Sequence, residues 1–246
     1  MPPRNLSEQL LHDLGKDIVQ GEIQPGEVLP KVEDISEIKG VSRTVVREAL
    51  KGLAARRLVE SSTKVGTIVK NREDWQWWDP DVLSWASHSN VSREILLQLT
   101  EVRLAIEPAA VQLAAKKATE DDIKQIKKCY KNLESSLGNE EEWAKADYEF
   151  HNSILVASHN ELMLSLIKTL HDALLKSRQT SIKLLKQKEK NTYVEANEEV
   201  ISRHKGLMEA VCSRNGELAY KKMQELLVRV VQLIETSEDE SSVKLQ

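Results

Sequence analysis

The sequence of 246 residues lacks several features that mark whole classes of protein. Its two cysteines, Cys129 and Cys212, are too few for a disulfide framework, which favours a reducing compartment. No apolar run approaches the ~20 residues of a membrane-spanning helix. The N-terminal residues carry no apolar stretch typical of a signal peptide. We therefore expect a cytoplasmic protein with no membrane partner.

Proline and glycine are missing from most of the chain. All six prolines lie at or before Pro108, and six of the nine glycines lie at or before Gly66. Residues 109–246 contain three glycines and no proline. The distribution predicts a first part with many turns and a long second part with few breaks.

Charge divides the chain in the same way. Residues 1–38 have a net charge of −5, residues 39–72 have +7, and the remaining 174 residues have −6. A compact basic block in an acidic protein indicates a polyanion partner, for which DNA is the commonest candidate. An ordinary solvated basic face is the alternative.

Hydrophobic spacing and turn residues predict the elements of the first part. These are helices over residues 7–20, 32–38 and 43–57 and two short strands over residues 58–60 and 67–69. Ser7 and Ser42 are the expected N-caps of the first and third helices. This order predicts a winged helix-turn-helix, whose third helix fits the major groove of DNA.

The predicted third helix has an apolar stripe and a separate basic face. Arg43, Arg47 and Lys51 are spaced i, i+4 and i+8, so they stack on one face. Arginines near the start of such a helix can contact base edges, and Lys64 at the hairpin tip can reach a phosphate or the minor groove. The alternative is a surface pair bridged to Glu48 or to solvent.

Three stretches together resemble the GntR family of bacterial transcription regulators. They are Pro25-Gly26-Glu27-Val28-Leu29-Pro30, Val41-Ser42-Arg43-Thr44-Val45-Val46-Arg47-Glu48-Ala49-Leu50, and Leu58-Val59-Glu60 with Gly66-Thr67. The resemblance implies operator contacts by Arg43, Thr44 and Arg47, with Lys64–Gly66 as the wing contact. One position departs from the family, because Glu33 stands where a basic residue is usual at the start of the second helix.

Four of the five tryptophans lie between Trp75 and Trp85. Tryptophans can stack on bases or sugar rings, or pack at a domain interface. No basic residue is interleaved with them, so we favour the interface. The pattern around Asp79-x-Asp81-Val82-Leu83-x-Trp85 resembles the galactonate-operon repressor subgroup of the family.

The rest of the chain reads as helix. Apolar spacing predicts helices near residues 80–88, 93–116, 120–137, 140–158, 161–185, 195–213 and 216–236. Pro108 should kink or split the second of these. The expected fold class is mainly α: an N-terminal winged helix-turn-helix plus a C-terminal all-α antiparallel helical bundle. The bundle resembles the ligand-sensing FCD-type domain of the FadR branch of the family.

Two histidines and a carboxylate can form a metal site in this bundle. Asp147 and His151 are four residues apart on one helix face, and His204 lies on an inward-facing stripe. The alternatives without a ligand are that His204 is an ordinary core residue and that Asp147 and His151 form a surface salt bridge. The resemblance implies a divalent metal such as zinc, but the position of its usual fourth ligand is Leu226. Three ligands can hold a metal with an open position, or the histidines can contact an effector directly.

Arg103 interrupts an apolar stripe, where an unpaired charge is costly to bury. It can pair with Glu107 at i+4 or clamp the carboxylate of a ligand. The resemblance favours the clamp, and Arg178 is a second candidate for the effector site.

These observations predict a DNA-binding regulator and no enzyme. We expect residues 1–72 to form the DNA-binding domain, 73–90 a tryptophan-rich linker, and 91–246 the effector-binding and dimerisation domain. The expected partners are operator DNA, a second copy of the chain in a homodimer, and a small organic acid, in particular a sugar acid. The alternatives are a metal-dependent enzyme in a helical bundle and an effector-independent DNA-binding protein with a decayed site.

Overall fold

The computed structural model describes residues 5–87, 93–170, 173–175, 179 and 193–236. The chain divides into two compact units, Met1–Ser92 and Arg93–Gln246. The fold is mainly helical, as the sequence predicts. Among the described residues, no helix is long and apolar enough to cross a membrane.

The first unit is a winged helix-turn-helix with one additional helix. Its elements are α1 (Leu6–Val19), α2 (Val32–Lys39), α3 (Arg43–Ala55), β1 (Val59–Ser62), β2 (Gly66–Val69) and α4 (Pro80–Ser87). The two strands pair antiparallel, with Val59 opposite Val69 and Ser62 opposite Gly66. The predicted architecture of this unit is confirmed.

Local signals fix the ends of the first three helices. Asn5 caps α1 in a capping box with Glu8, so the prediction of Ser7 as the cap is wrong by two residues. Gly40 ends α2 in the left-handed conformation, with φ of 64°. The Ser42 hydroxyl accepts a hydrogen bond from the backbone N–H of Val45 and caps α3, as predicted.

The additional helix α4 packs on α1 through Trp85, which is 3% exposed. The indole N–H of Trp85 donates to Nδ1 of His12 at 2.7 Å, and the ring lies over Gly15. At the start of α4, Arg56 from the end of α3 binds the carboxylates of Asp79 at 3.1 Å and Asp81 at 2.5 Å. Residues beyond the wing are therefore part of the first unit.

The second unit is a helical bundle. Its described helices are α5 (Arg93–Lys117), α6 (Glu120–Ser135), α7 (Glu140–Val156), α8 (Glu161–Thr169), α9 (Tyr193–Cys212) and α10 (Gly216–Thr236). Helix α5 packs against α7, α9 and α10, and α6 packs against α7 and α9. The core between them includes Val111, Ile126, Phe150, Leu207 and Met223.

Two expectations for this unit are corrected in part. Of the two outcomes predicted at Pro108, a kink or a split, the split does not occur, because α5 is continuous from Arg93 to Lys117. The kink stays a prediction. Pro108 is buried there, so packing on neighbouring helices offsets the lost backbone hydrogen bond. The helix predicted over 161–185 ends at Thr169, and of the remainder the structure describes only residue 170, the helical residues 173–175 and residue 179.

Candidate functional sites

The predicted DNA-contacting residues of α3 lie together on the surface of the first unit. Arg43, Thr44, Arg47 and Lys51 are all exposed along one side of the helix. Lys51 makes an exposed ion pair with Glu48 at 2.7 Å. The inward stripe of the same helix is buried, so the helix presents its basic residues and hides its apolar ones.

The start of α2 places a carboxylate beside this basic face. The Glu33 carboxylate lies 3.8 Å from the guanidinium of Arg43, and both side chains are at least half exposed. The wing residues Lys64 and Gly66 are also exposed, and Gly66 has φ of 109°, which favours glycine. A bridge between Val28 and Ile68 attaches the chain before α2 to the wing.

The tryptophan-rich segment is folded onto the first unit. Trp75 and Trp85 are buried, and the Trp75 indole N–H donates to the Lys70 carbonyl at 2.9 Å. The Arg72 guanidinium stacks over two rings, with its Cζ atom 5.2 Å from the ring centroid of Trp75 and 5.3 Å from that of Trp77. Because Trp75 and Trp85 are buried, their rings are not accessible for stacking on bases.

In the second unit, helices α7 and α9 bring Asp147, His151 and His204 together. His204 Nε2 lies 2.9 Å from Asp147 Oδ1, and His151 Nε2 lies 3.7 Å from the same oxygen. The two histidine Nε2 atoms are 3.3 Å apart. All three residues are largely buried, with Asp147 at 9% exposure and the histidines at 3% and 4%.

The donor set fits a divalent metal ion. Ligands at about 2.0–2.1 Å from a tetrahedral zinc are about 3.3–3.4 Å apart, close to the three separations found here. His204 Nδ1 lies 2.7 Å from the Val200 carbonyl oxygen, to which it donates, so Nε2 is the ring nitrogen that faces the other two ligands. Phe150, the only phenylalanine, contacts both imidazole rings edge to face. Asp147, His151 and His204 could therefore hold an ion, and their ligand atoms all lie within 4.8 Å of one another.

The fourth ligand of the family pattern is absent. Leu226, which occupies its position, is a partly buried residue that packs against the apolar core. An ion held by the remaining three residues keeps a coordination position for water or a carboxylate.

Arg103 is buried beside this cluster, at 2% exposure. Its Nε donates to Glu107 Oε1 at 2.8 Å, so the predicted i, i+4 pair is present. Glu107 Oε2 lies 3.9 Å from His151 Nδ1. Arg178, the other predicted effector contact, lies outside the described residues.

The sequence interpretation missed the position of Glu107 next to a candidate metal ligand. Helical spacing predicts Glu107 only as the partner of Arg103, whereas the structure places the same carboxylate between Arg103 and His151. Buried charged residues at i, i+4 in an apolar helix were the available signal. Nothing in the sequence pairs this turn of α5 with α7.

Two family models match the chain. Residues 6–69 match the bacterial regulatory proteins of the gntR family, and residues 98–229 match the FCD domain. The first match covers α1 to β2, and the second contains Arg103, Glu107 and the three candidate metal ligands.

Individual relatives agree with these matches. The HTH-type transcriptional regulator LutR of Bacillus subtilis is 35% identical over 213 residues, 87% of this chain and 94% of the relative. The galactonate operon transcriptional repressor of Escherichia coli is 32% identical over 162 residues, 66% of this chain and 71% of the relative. The solved structure of Lar, which controls expression of the Listeria monocytogenes agr system, shares the fold with a TM-score of 0.64. It is 19% identical and covers 97% of this chain and 100% of that one.

Proposed function

Since the chain belongs to the GntR family of bacterial regulatory proteins and carries an FCD domain, we propose that this transcriptional regulator is a repressor controlled by a small organic acid. The family consists of transcriptional regulators, so the enzyme alternative is set aside. The proposal assigns operator binding to the first unit and effector binding to the second.

The observation that carries the effector proposal is the buried polar cluster of the second unit. Arg103 and Glu107 are almost inaccessible to water, and Asp147, His151 and His204 are at least nine-tenths buried. Burying this many ionisable groups has a large desolvation cost. A fold stabilised by its apolar core alone does not need them, whereas a site for an anionic ligand and a cation does.

The proposed DNA interface consists of Arg43, Thr44, Arg47 and Lys51 on α3 with the wing residues Lys64 and Gly66. An α-helix fits the major groove, where arginine can donate two hydrogen bonds to guanine. A homodimer would place two such helices on the half-sites of a pseudo-palindromic operator, since twofold protein symmetry matches twofold DNA symmetry.

The proposed effector is a sugar acid. Arg103 offers a planar guanidinium that binds carboxylates through paired hydrogen bonds, and the fit of the cluster to a cation adds a second attraction for an anion. A relative of this chain is named for a galactonate operon, and galactonate is a sugar acid. Arg178 is proposed as a further contact.

Asp147, His151 and His204 are the residues proposed to hold a divalent metal ion, zinc in particular. When bound, such an ion supplies a Lewis-acid centre that attracts a carboxylate oxygen. The protein's own contribution is to orient the imidazoles, through the Val200 carbonyl in the case of His204, and to exclude water from the cluster.

Control of DNA binding requires the acid to bind one state of the protein more tightly than another. A ligand with equal affinity for both states shifts no equilibrium, however tightly it binds. We therefore propose that the effector-bound protein has a lower affinity for the operator.

The DNA interface is tested with sites selected from a random duplex library by the full-length protein. Replacing both Arg43 and Arg47 by alanine should weaken binding at least about 30-fold, since each base contact is worth about 1–3 kcal/mol. The matched control replaces Lys124 and Lys145, which are exposed on the second unit, and removes the same charge. Equal losses in the two double variants would contradict the assignment of α3.

The effector proposal is tested by a thermal-shift screen of sugar acids with zinc and with EDTA. A sugar acid should raise the unfolding temperature of the wild-type protein and lower its affinity for the selected DNA. The Arg103→Met variant should lose the response to the acid. A protein that binds its operator and responds to no acid is an effector-independent regulator.

A further inference from the structure

A second buried network extends from the candidate metal ligands into α5. Glu107 is fully buried, at 0% exposure, and one of its carboxylate oxygens accepts a hydrogen bond from Arg103. Its other oxygen, Oε2, has no hydrogen-bond partner among the residues that the structure describes. A buried carboxylate oxygen without a donor is costly, so its placement calls for a physical reason.

The side chain of His151 brings a ring nitrogen toward this oxygen from another helix. Its Nδ1 lies 3.9 Å from Glu107 Oε2, while its Nε2 lies among the Asp147 and His204 ligand atoms. A neutral histidine that coordinates an ion through Nε2 carries its proton on Nδ1. In metal sites that N–H is almost always donated to a carboxylate, a backbone carbonyl or water.

In each histidine of the cluster, Nδ1 faces an oxygen acceptor outside the cluster. His204 donates its Nδ1 proton to the carbonyl of Val200, one helical turn earlier on α9. For His151 the facing acceptor comes from a different helix, through Glu107 on α5. The carboxylate of Glu107 also faces Arg103, the proposed effector contact, with its other oxygen.

We propose that Glu107 is a positioning residue that fixes the ring orientation and tautomer of His151 for metal binding while it holds Arg103. This inference rests on the metal site of the proposed function and deepens it. Glu107 itself contacts neither the ion nor the effector. Its role is to accept one hydrogen bond from Arg103, the proposed effector contact, and one from His151, the proposed metal ligand.

Glutamine has nearly the same shape as glutamate but cannot accept hydrogen bonds on both sides of its end group. A carboxylate accepts on both oxygens, whereas a side-chain amide has one accepting oxygen and one N–H₂ donor. In Glu107→Gln the N–H₂ group must face either Arg103 or His151, both of which present donors. The substitution therefore tests acceptor geometry with almost no change in volume.

The experiment measures zinc affinity of the full-length protein by competition with a chromophoric chelator. Glu107→Gln should bind zinc about 10–100-fold more weakly than wild type, the range found when outer-shell partners are removed. The cobalt-substituted protein should show a changed visible absorption spectrum, because the orientation of a ligand changes. Glu149→Gln, the same chemical change on the exposed side of α7, should leave both measurements unchanged.

The outcomes separate this inference from the proposal on which it depends. Wild-type zinc affinity and an unchanged cobalt spectrum in Glu107→Gln would overturn the positioning role and leave the metal site standing. Failure of the wild-type protein to bind either ion would overturn both. If Glu107→Gln does not fold, Glu107→Asp takes its place, since it keeps two acceptor oxygens on a shorter stem. Its zinc affinity should also fall, and an unchanged affinity would refute the role.

Discussion

Two glycines within helices provide a prediction in which the same substitution has opposite effects. A Cβ atom added at Gly15 of α1 would lie 2.4, 2.5 and 2.9 Å from three ring atoms of Trp85. A Cβ atom at Gly206 of α9 would have the end of the Lys222 side chain, at 3.6 Å, as its nearest neighbour. Gly15→Ala therefore introduces a steric clash that Gly206→Ala does not. Both substitutions raise the helix propensity by the same amount.

The magnitudes decide the sign at each position. Alanine in a helix interior is favoured over glycine by about 1 kcal/mol. At Gly206 nothing opposes this gain, so the free energy of unfolding should rise by about 1 kcal/mol. At Gly15 the indole is buried and hydrogen-bonded to His12, so it cannot move cheaply. Overpacking costs about 1–3 kcal/mol, which leaves a net loss of up to about 2 kcal/mol.

Urea unfolding of the full-length protein measures both effects. Tryptophan fluorescence reports mainly on the first unit, which contains four of the five tryptophans, and far-ultraviolet circular dichroism reports on all helices. Replacing Trp85 by leucine should make Gly15→Ala much less costly, a coupling that a double-mutant cycle detects. Stabilisation of the wild-type background by Gly15→Ala would refute the packing of α4 on α1.

Two further predictions concern single charges. Partial burial raises the pKa of Asp122, but hydrogen bonds from Thr119 and His159 outweigh it and hold that pKa below its usual value. The ionised carboxylate of Asp122 therefore stabilises the fold at neutral pH, and this stabilisation is lost as the pH falls through the lowered pKa. Asp122→Asn should cost about 1 kcal/mol of unfolding free energy at pH 7 and little near pH 2. Calorimetric unfolding at both pH values checks this, and an equal cost at each would contradict it. Glu33→Gln removes a carboxylate 3.8 Å from Arg43 and should tighten binding to any duplex by about two- to fivefold at low salt. Fluorescence anisotropy should show the effect shrinking as salt is added, and an affinity unchanged at low salt would mean that Glu33 lies away from the DNA.

The sequence predicted those parts of the protein that depend on local signals. Ser42 and Gly40 mark the turn between α2 and α3 because caps and left-handed glycines act within a few residues. Helical spacing predicts that Asp147 and His151 share a face, and their side chains lie 3.7 Å apart. His204 was expected inside because its neighbours form an apolar stripe, and it is buried.

Contacts between distant elements were beyond the reach of the same reasoning. Helical spacing places Glu107 next to Arg103 but cannot bring it to His151, which is on another helix. The hydrogen bond between Trp85 and His12 of α1 joins residues 73 positions apart, and no local pattern indicates it. The continuity of α5 through Pro108 also depends on tertiary packing, which the residue pattern does not encode.

The ion pairs between Arg56 and the two carboxylates at the start of α4 set the minimum length of a folded DNA-binding fragment. The gntR family match ends at residue 69, before Trp75 and before the two carboxylates that bind Arg56. A fragment cut there removes the partners of a half-buried guanidinium and uncovers the face of α1 around Gly15. We expect the smallest fragment that folds as in the whole protein to extend to residue 87, so that a gene truncated for operator studies should keep α4.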